Sequence, residues 1–380
     1  MCFKVTVIYP KVNVVVSPVR VNIPVPIYVT RQYPANVSSA CATCSFGVVA
    51  RRMSKYLKEY YNIDLPAIAE PNPSAKIFFE DLYFALSRPK LNALYSVDTP
   101  FVASSTPLPD APKVIMSTSW HTCTVAKTLG TEECHLVPRS PDDKLADAVY
   151  NRHYPKEYDV VAVITQANTA KYKNYALVKR LVDDLKLKAF LVCDAPGCNA
   201  RTFSMSDEDL HALYAKAYLV MSMSSAEGFA MPPAEAMSVG TPVIHFDTPF
   251  MAHPFSSSPQ PYDDLVYDAM SHVKGRNGLP YADTGLRKDP VTVYYDNVLH
   301  YTVPITGMVL KSSHLNTKYF YDVTYDYDEV KRAVRDALDD IKSRDVEKVR
   351  EQLHEYAVRR FYHSAVIPKY LEVMKKMGLM

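Results

Sequence analysis

A chain of 380 residues, 48% of them apolar, has material for two cores, because single domains run to roughly 100–200 residues. Charged residues make up 22%, the formal net charge is +2, and Lys and Arg are spread along the chain. This argues against a dedicated nucleic-acid binder, which carries a basic patch or stripe, but leaves room for an anionic small ligand. The first residues lack the basic region, apolar core and small-residue cleavage site of a secretory leader, and no apolar run reaches the roughly 18 residues of a membrane span. The expectation is a soluble, cytoplasmic protein with at most peripheral membrane contact. Ten glycines against 28 prolines restrict the unfolded chain, as in a heat-stable protein. The seven cysteines are odd in number in a chain too long to need staples, so they read as buried thiols in a reducing compartment.

Residues 3–30 contain Val/Ile-rich runs broken by prolines, which are strand signals. They lead into a polar loop, "RQYPANVSSACATCSFG". A helix then begins near Phe46, with Val49, Met53, Tyr56, Leu57 and Tyr60 on one face and Arg51, Arg52, Lys55 and Lys58 mostly on the other. "KVIMS" reads as a buried strand and "HTCTVAKTLG" as a short helix ending at Gly130. The polar segment "VPRSPDDK", Val137 to Lys144, reads as a domain linker.

Beyond the linker the pattern is more regular. "DVVAVIT", "KAFLVCD", "YLVMSM" and "PVIHF" are continuous apolar strands. Between them lie the helices "NYALVKRLVDDL", "SDEDLHALYAKA" with Ser206 as N-cap, and "PPAEAMSVG" with prolines at its start and Gly240 past its end. Apolar strands alternating with helices predict a parallel, doubly wound sheet covered on both faces. Residues 247–325 show no sustained period and read as loops and short strands. Helices resume at "YDEVKRAVRDALDDIKS" and at "VEKVREQLHEYAVRRFYHSAVIPKYLEVMKKM", where Pro368 is expected to kink or break the run.

The stretch "SSAEGFAMPPAEAMSVGTPVI", Ser224 to Ile244, places Glu227 on the loop after an apolar strand and Glu235 in the first turns of the next helix. Ligands of such sheets bind outside the C-terminal strand ends, where the helix N-terminus also points. Gly228 lets a ligand approach the backbone, and both carboxylates can accept hydrogen bonds from sugar or ribose hydroxyls. Lys171 and Lys173, in "TQANTAKYKNYALVK", precede a second helix that Asn174 is placed to cap. Two cation-and-helix sites on one sheet point to a diphosphate held without a metal.

The run "LHALYAKAYLVMSMSSAEGFAMPPAEAMSVGTPVI" resembles the nucleotide-sugar half of GT-B-fold glycosyltransferases, in particular the retaining group with the glutamate-x7-glutamate motif, the "family four" or group 1 type. The resemblance is strong over about residues 205–246 and thinner elsewhere. It implies an α/β chain of two Rossmann-like doubly wound domains facing a cleft. On this reading residues 1–140 are the acceptor-side domain and 141–355 the nucleotide-sugar domain, with an insertion around 247–325. Residues 356–380 supply a C-terminal helix crossing back to the first domain. By position, Glu227 contacts the transferred sugar, Glu235 holds the ribose, Gly228, Phe229 and Ala230 offer backbone N–H groups, and Lys173 neutralises the leaving diphosphate. The resemblance implies retention by front-face attack, no cofactor and no metal, a nucleotide-sugar donor, and a glycan, lipid or protein acceptor. There are departures. The family's arginine falls near Asn168, where Lys171 is the substitute, and its glycine pair falls near Cys44–Ser45 with only Gly47 close by.

Other features have plainer readings beside the functional one. His121, next to the only tryptophan Trp120, ends a first-domain strand and is either an acceptor or sugar contact or local packing. "CATC" has metal or redox spacing, but Cys123 and Cys134 stand at the wrong spacing to complete a zinc ribbon. Another GT-B enzyme, such as a nucleotide-sugar epimerase, and a catalytically silent nucleotide-sugar-binding subunit are the alternative functions.

Overall fold

The computed structural model describes residues 11–16, 19–24, 34–39, 41, 44–70, 72–86, 91–99, 101, 103–104, 112–119, 122–123, 126–127, 129–167, 170–246, 291–295, 298–303, 305–312 and 318–380. The chain divides into two units, Met1–Pro34 and Ala35–Met380. In the first, β1 (Lys11–Val16) and β2 (Val19–Pro24) form an antiparallel hairpin. Its register pairs Val12 with Ile23, Val14 with Val21 and Val16 with Val19.

The second unit carries two six-stranded sheets. The first consists of β3 (Asn36–Ser39), β4 (Ala67–Ile68), β5 (Ala75–Asp81), β6 (Leu94–Asp98), β8 (Val114–Ser117) and β9 (Glu133–Leu136) in the order β4-β3-β5-β6-β8-β9, all parallel. Helix α1 (Ser45–Tyr61) buries Val49, Met53, Tyr56 and Leu57 against one face. The same core takes Val366, Ile367, Tyr370 and Met374 from the last helix, α9 (His363–Lys376). The C-terminal helix thus packs on the first sheet. The other face holds Phe78, Tyr95 and Ile115 together with α2 (Leu82–Leu86).

The second sheet has the order β11-β10-β12-β13-β15-β14: β10 (Tyr158–Ile164), β11 (Ala189–Cys193), β12 (Ala217–Ser222), β13 (Val243–Phe246), β14 (Val291–Tyr295) and β15 (Val298–Val303). Only β14 runs antiparallel to its neighbour. Helices α3 (Asp143–Tyr150), α4 (Tyr175–Leu185), α5 (Asp207–Ala215), α6 (Met231–Ser238), α7 (Tyr327–Ser343) and α8 (Val346–Arg360) complete this half. Ser206 Oγ accepts from the Asp209 N–H and so caps α5, while Asp142 caps α3. After α6 the chain reverses at Gly240, whose φ is +80° and whose added Cβ would stand 2.7 Å from the Arg350 carbonyl oxygen. No helix among the described residues is long and apolar enough to cross a membrane.

The structure corrects several expectations. Six of the seven cysteines are not thiols: Cys41–Cys44, Cys123–Cys134 and Cys193–Cys198 are disulfides, with Cα atoms 5.8, 5.7 and 5.7 Å apart, a separation a disulfide spans, while Cys2 lies outside the described residues. The third closes because the loop after β11 folds back, Asn199 N donating to Leu191 O at 2.8 Å. Such bonds occur inside hyperthermophile cells as well as outside cells. The final helical run breaks at Phe361 and Tyr362, between α8 and α9, and not at Pro368. Pro368 lies in the second turn of α9, where the ring is accommodated inside the helix. Of the segment 247–325, residues 247–290 lie outside the described residues. The remainder supplies β14 and β15 and the hairpin β16 (Gly307–Ser312) and β17 (Lys318–Thr324). That hairpin pairs with β7 (Ala103–Ser104) of the first half.

Candidate active site

In the second sheet β10 lies second from one edge, the chain passes to β11 on its outer side, and β12 lies on its inner side. The strand order therefore reverses between β10 and β12, and the loops leaving their C-terminal ends diverge to form a crevice. The β10 loop ends in a single 3₁₀ turn, Lys171–Lys173, followed by Asn174 in a left-handed conformation at φ 52°. Asn174 does not cap α4 as expected. Its side-chain amide donates to Met223 O at 2.9 Å and to Ser225 Oγ at 2.7 Å, and Ser225 N donates to Tyr172 O at 2.7 Å. Ser225 Oγ in turn donates to Asp322 Oδ1 at 2.6 Å, and Lys311 pairs with Asp322. These bonds fix the two loops to one another.

The consequence is a close pair. Lys173 Nζ stands 2.5 Å from Glu227 Oε1, each side chain 14% exposed. Tyr172 packs edge-on against Phe101 and Phe320. Its hydroxyl is held well above the usual tyrosine range by burial and, next, by the Glu227 charge. Lys171 is exposed on the same turn.

Gly228 follows, and an added Cβ there would stand 2.6 Å from Asp98 Oδ1. Asp98, at the end of β6, belongs to the first half. Its other oxygen accepts from Arg139 Nη2 at 3.0 Å and Nε at 3.3 Å. Arg139 also donates to Ser96 Oγ at 2.6 Å, which contacts the Tyr370 hydroxyl. Burial pushes the Asp98 carboxyl above its ordinary range, Arg139 opposes this, and Asp81 and Glu227 add to it. Thr118 Oγ1 donates to Gly228 O at 2.8 Å, so Thr118 and Asp98 of the first half both stand against this glycine. Phe229 is buried beside Phe361. Ala230 is the N-cap of α6 at φ 63°, a left-handed conformation that costs a non-glycine residue about 1 kcal/mol or more.

Glu235 lies one turn into α6 and is 6% exposed. Its Oε1 accepts from Arg52 Nη1 at 3.0 Å, and Arg52 Nη2 donates to Asp207 Oδ2 at 3.1 Å. Arg52 comes from α1 of the first half, and its guanidinium is buried. It was expected on the solvent face of that helix.

The structure thus brings Lys173, Glu227, Gly228, Phe229 and Ala230 to the crevice between β10 and β12, with Glu235 behind them on α6. His121, Trp120 and Asn168 lie outside the described residues. Among the described residues, no group of three or more His, Cys, Asp or Glu side chains is arranged to hold a metal. Asp98, Thr118, Asn174 and Arg52 were missed by sequence reasoning. For Arg52 a signal existed: it stands three residues after Val49 and four before Tyr56, beside the apolar face.

Residues 201–257 match the family described as "Glycosyl transferases group 1". The chain is similar to "Putative glycosyltransferase ORF378" of Acidianus filamentous virus 2 (isolate Italy/Pozzuoli), 26% identical over 435 residues that cover 99% of each chain. It is also similar to "Putative glycosyltransferase 63" of Sulfolobus islandicus filamentous virus (isolate Iceland/Hveragerdi), 24% identical over 55% of this chain and 75% of the relative. Among solved structures it resembles AviGT4, a glycosyltransferase involved in avilamycin A biosynthesis, with TM-score 0.51 and 12% identity over 90% of this chain and 98% of that one. Sucrose-phosphate synthase from Thermosynechococcus elongatus gives TM-score 0.50 and 12% identity over 85% and 76%. These likenesses show the GT-B fold.

Proposed function

We propose that the chain, which has the GT-B fold, is a glycosyltransferase of the group 1 type and moves a sugar from a nucleotide-diphosphate sugar to an acceptor hydroxyl at the ends of β10 and β12. The observation that carries the proposal is the Lys173–Glu227 pair, drawn from two strand ends to 2.5 Å at the reversal of strand order. In the proposed site Lys173, with Lys171 nearby, stabilises the charge that develops on the departing diphosphate. The start of α6 and the Gly228–Ala230 backbone receive the phosphates. Glu227 accepts hydrogen bonds from the transferred sugar, and Glu235 from the ribose. The reaction needs no metal in this scheme, because lysine and helix terminus supply the positive charge, and it proceeds with retention. The acceptor enters from the first half, and closure of that half over the donor excludes water.

The test is a panel of UDP-, GDP- and ADP-sugars incubated with chelator, with and without glycan acceptors, following nucleoside diphosphate release. One donor is expected to be consumed, and Lys173→Ala to slow it by roughly 10²–10³-fold. If no donor is bound or consumed, the proposal fails. Donor binding without turnover would favour a silent subunit, a reading to which the departures at Asn168 and Cys44–Ser45 also lend weight.

A further inference from the structure

The carboxylate assigned to the ribose is already engaged. Arg52 reaches from α1 in the first half to Glu235 on α6 and Asp207 on α5 in the second, at 3.0 and 3.1 Å. With Glu235 6% exposed and its Oε1 turned to the guanidinium, a ribose diol and Arg52 would compete for this carboxylate.

The contact is also poorly satisfied. Arg52 Nε and His211 Nε2 are both buried with no hydrogen-bond partner among the described residues. Tyr214 faces the Glu235 carboxylate, whose charge joins burial in raising the phenol. His211 Nδ1 lies 2.7 Å from Asp207 O, so it carries the proton and leaves Nε2 an acceptor. Buried polar groups in proteins are nearly always hydrogen-bonded, and an ion pair sealed from water is a weak source of stability because desolvation offsets the attraction. An interdomain ion pair with unmet bonds at its centre is a clasp that a better ligand can open.

We propose that Arg52 is a latch on the nucleotide site: its guanidinium takes the place of the ribose hydroxyls on Glu235, holds the two halves together until donor arrives, and is displaced when a nucleoside diphosphate binds. The proposal rests on the assignment of Glu235 to the ribose. It sets donor binding against interdomain closure, so that the first half re-closes over a loaded site through other contacts, those of Asp98 and Thr118 on Gly228 being in place for this. The effector and the latch are then linked by a coupling free energy, and removing the latch improves affinity by the coupling factor.

The experiment titrates UDP, GDP, ADP and inorganic pyrophosphate into wild type, Arg52→Met, Asp207→Asn, Glu235→Ala and Lys58→Ala by calorimetry. Lys58 is an exposed cation on the same helix and controls for loss of charge alone. The latch predicts that the preferred nucleoside diphosphate binds Arg52→Met about ten-fold tighter than wild type, with pyrophosphate and Lys58→Ala unchanged. Asp207 is largely exposed, so Asp207→Asn keeps the fold should Arg52→Met not, and predicts a smaller gain of the same sign. Equal or weaker binding in both variants, while Glu235→Ala loses binding, overturns the latch and leaves the donor site standing. If Glu235→Ala binds nucleotide like wild type, the ribose assignment falls and the latch with it. If neither wild type nor the two latch variants binds any nucleotide, the latch is likewise overturned.

Discussion

The two halves of the second unit repeat one topology and spend it differently. In each, the first strand, β3 or β10, lies second from one edge, the next strand adds on its outer side, and the rest follow on the other. Each therefore has a crevice where the order reverses. At the β10/β12 crevice stand a lysine–glutamate pair, a glycine and a helix start. At the β3/β5 crevice stand the Cys41–Cys44 disulfide, ahead of α1, and the buried acids Glu80 and Asp81. The first sets a lysine beside a helix start, the pairing that suits a phosphate-bearing ligand; the second sets buried acids, which disfavour one. Shared topology supplies two candidate sites, and side-chain chemistry decides between them.

Three perturbations sharpen the contrast. The largest effect on stability is expected at Arg139, through which the first half holds Asp98 against the Gly228 loop. Arg139→Ala strands a buried carboxylate, and denaturant unfolding should show a loss of about 3–5 kcal/mol. An exposed second-half pair such as Lys179–Asp183 should cost under about 1 kcal/mol when cut. Next is Gly228→Ala. Its Cβ would meet Asp98 Oδ1 at 2.6 Å, an atom at the end of a side chain clamped by Arg139. A cost of about 1–3 kcal/mol is expected, together with weaker donor binding. Coupling to Asp98→Ala in a double-mutant cycle would locate the clash, because relieving it restores most of the loss; independence of the two changes would mean the halves do not meet there.

The last effect is spread over a range of pH and concerns His245 in β13, which burial lowers to about 4. The unfolded chain takes up a proton near pH 6.5 that the folded chain refuses until about pH 4. Stability from this group is therefore complete above pH 6.5 and is lost as pH falls through that window, with a slope of at most about 1.4 kcal/mol per pH unit. Buried His363, also lowered by burial, adds loss of the same sign. Unfolding midpoints of wild type and His245→Asn between pH 7 and 4 should converge as acid is added. Parallel curves would show that His245 is not the titrating group.

How much could be read in advance follows from where the information sits. The second half was legible because its order is local: apolar strands alternate with capped helices, and Ser206, the proline pair and Gly240 mark their own helix ends. The Glu227–Glu235 spacing lies within one strand–loop–helix unit. The first half was less so, since its strands are short and its decisive contacts are long-range. Nothing near Asp98 announces Arg139, 41 residues away, or Gly228 across the crevice. Arg52 was assigned to solvent because arginines usually are exposed, although its spacing from Val49 and Tyr56 placed it at the rim of the apolar face. The disulfides were missed because pairing depends on loops folding back, as the one after β11 does, which spacing alone does not report.

The most direct test is a structure of the chain with the nucleoside diphosphate it binds best. The account predicts the diphosphate at Lys173 and the start of α6, the ribose at Glu235, and the whole ligand at the ends of β10 and β12. A nucleotide found at the β3/β5 crevice, or one that leaves both Lys173 and Glu235 untouched, would contradict it.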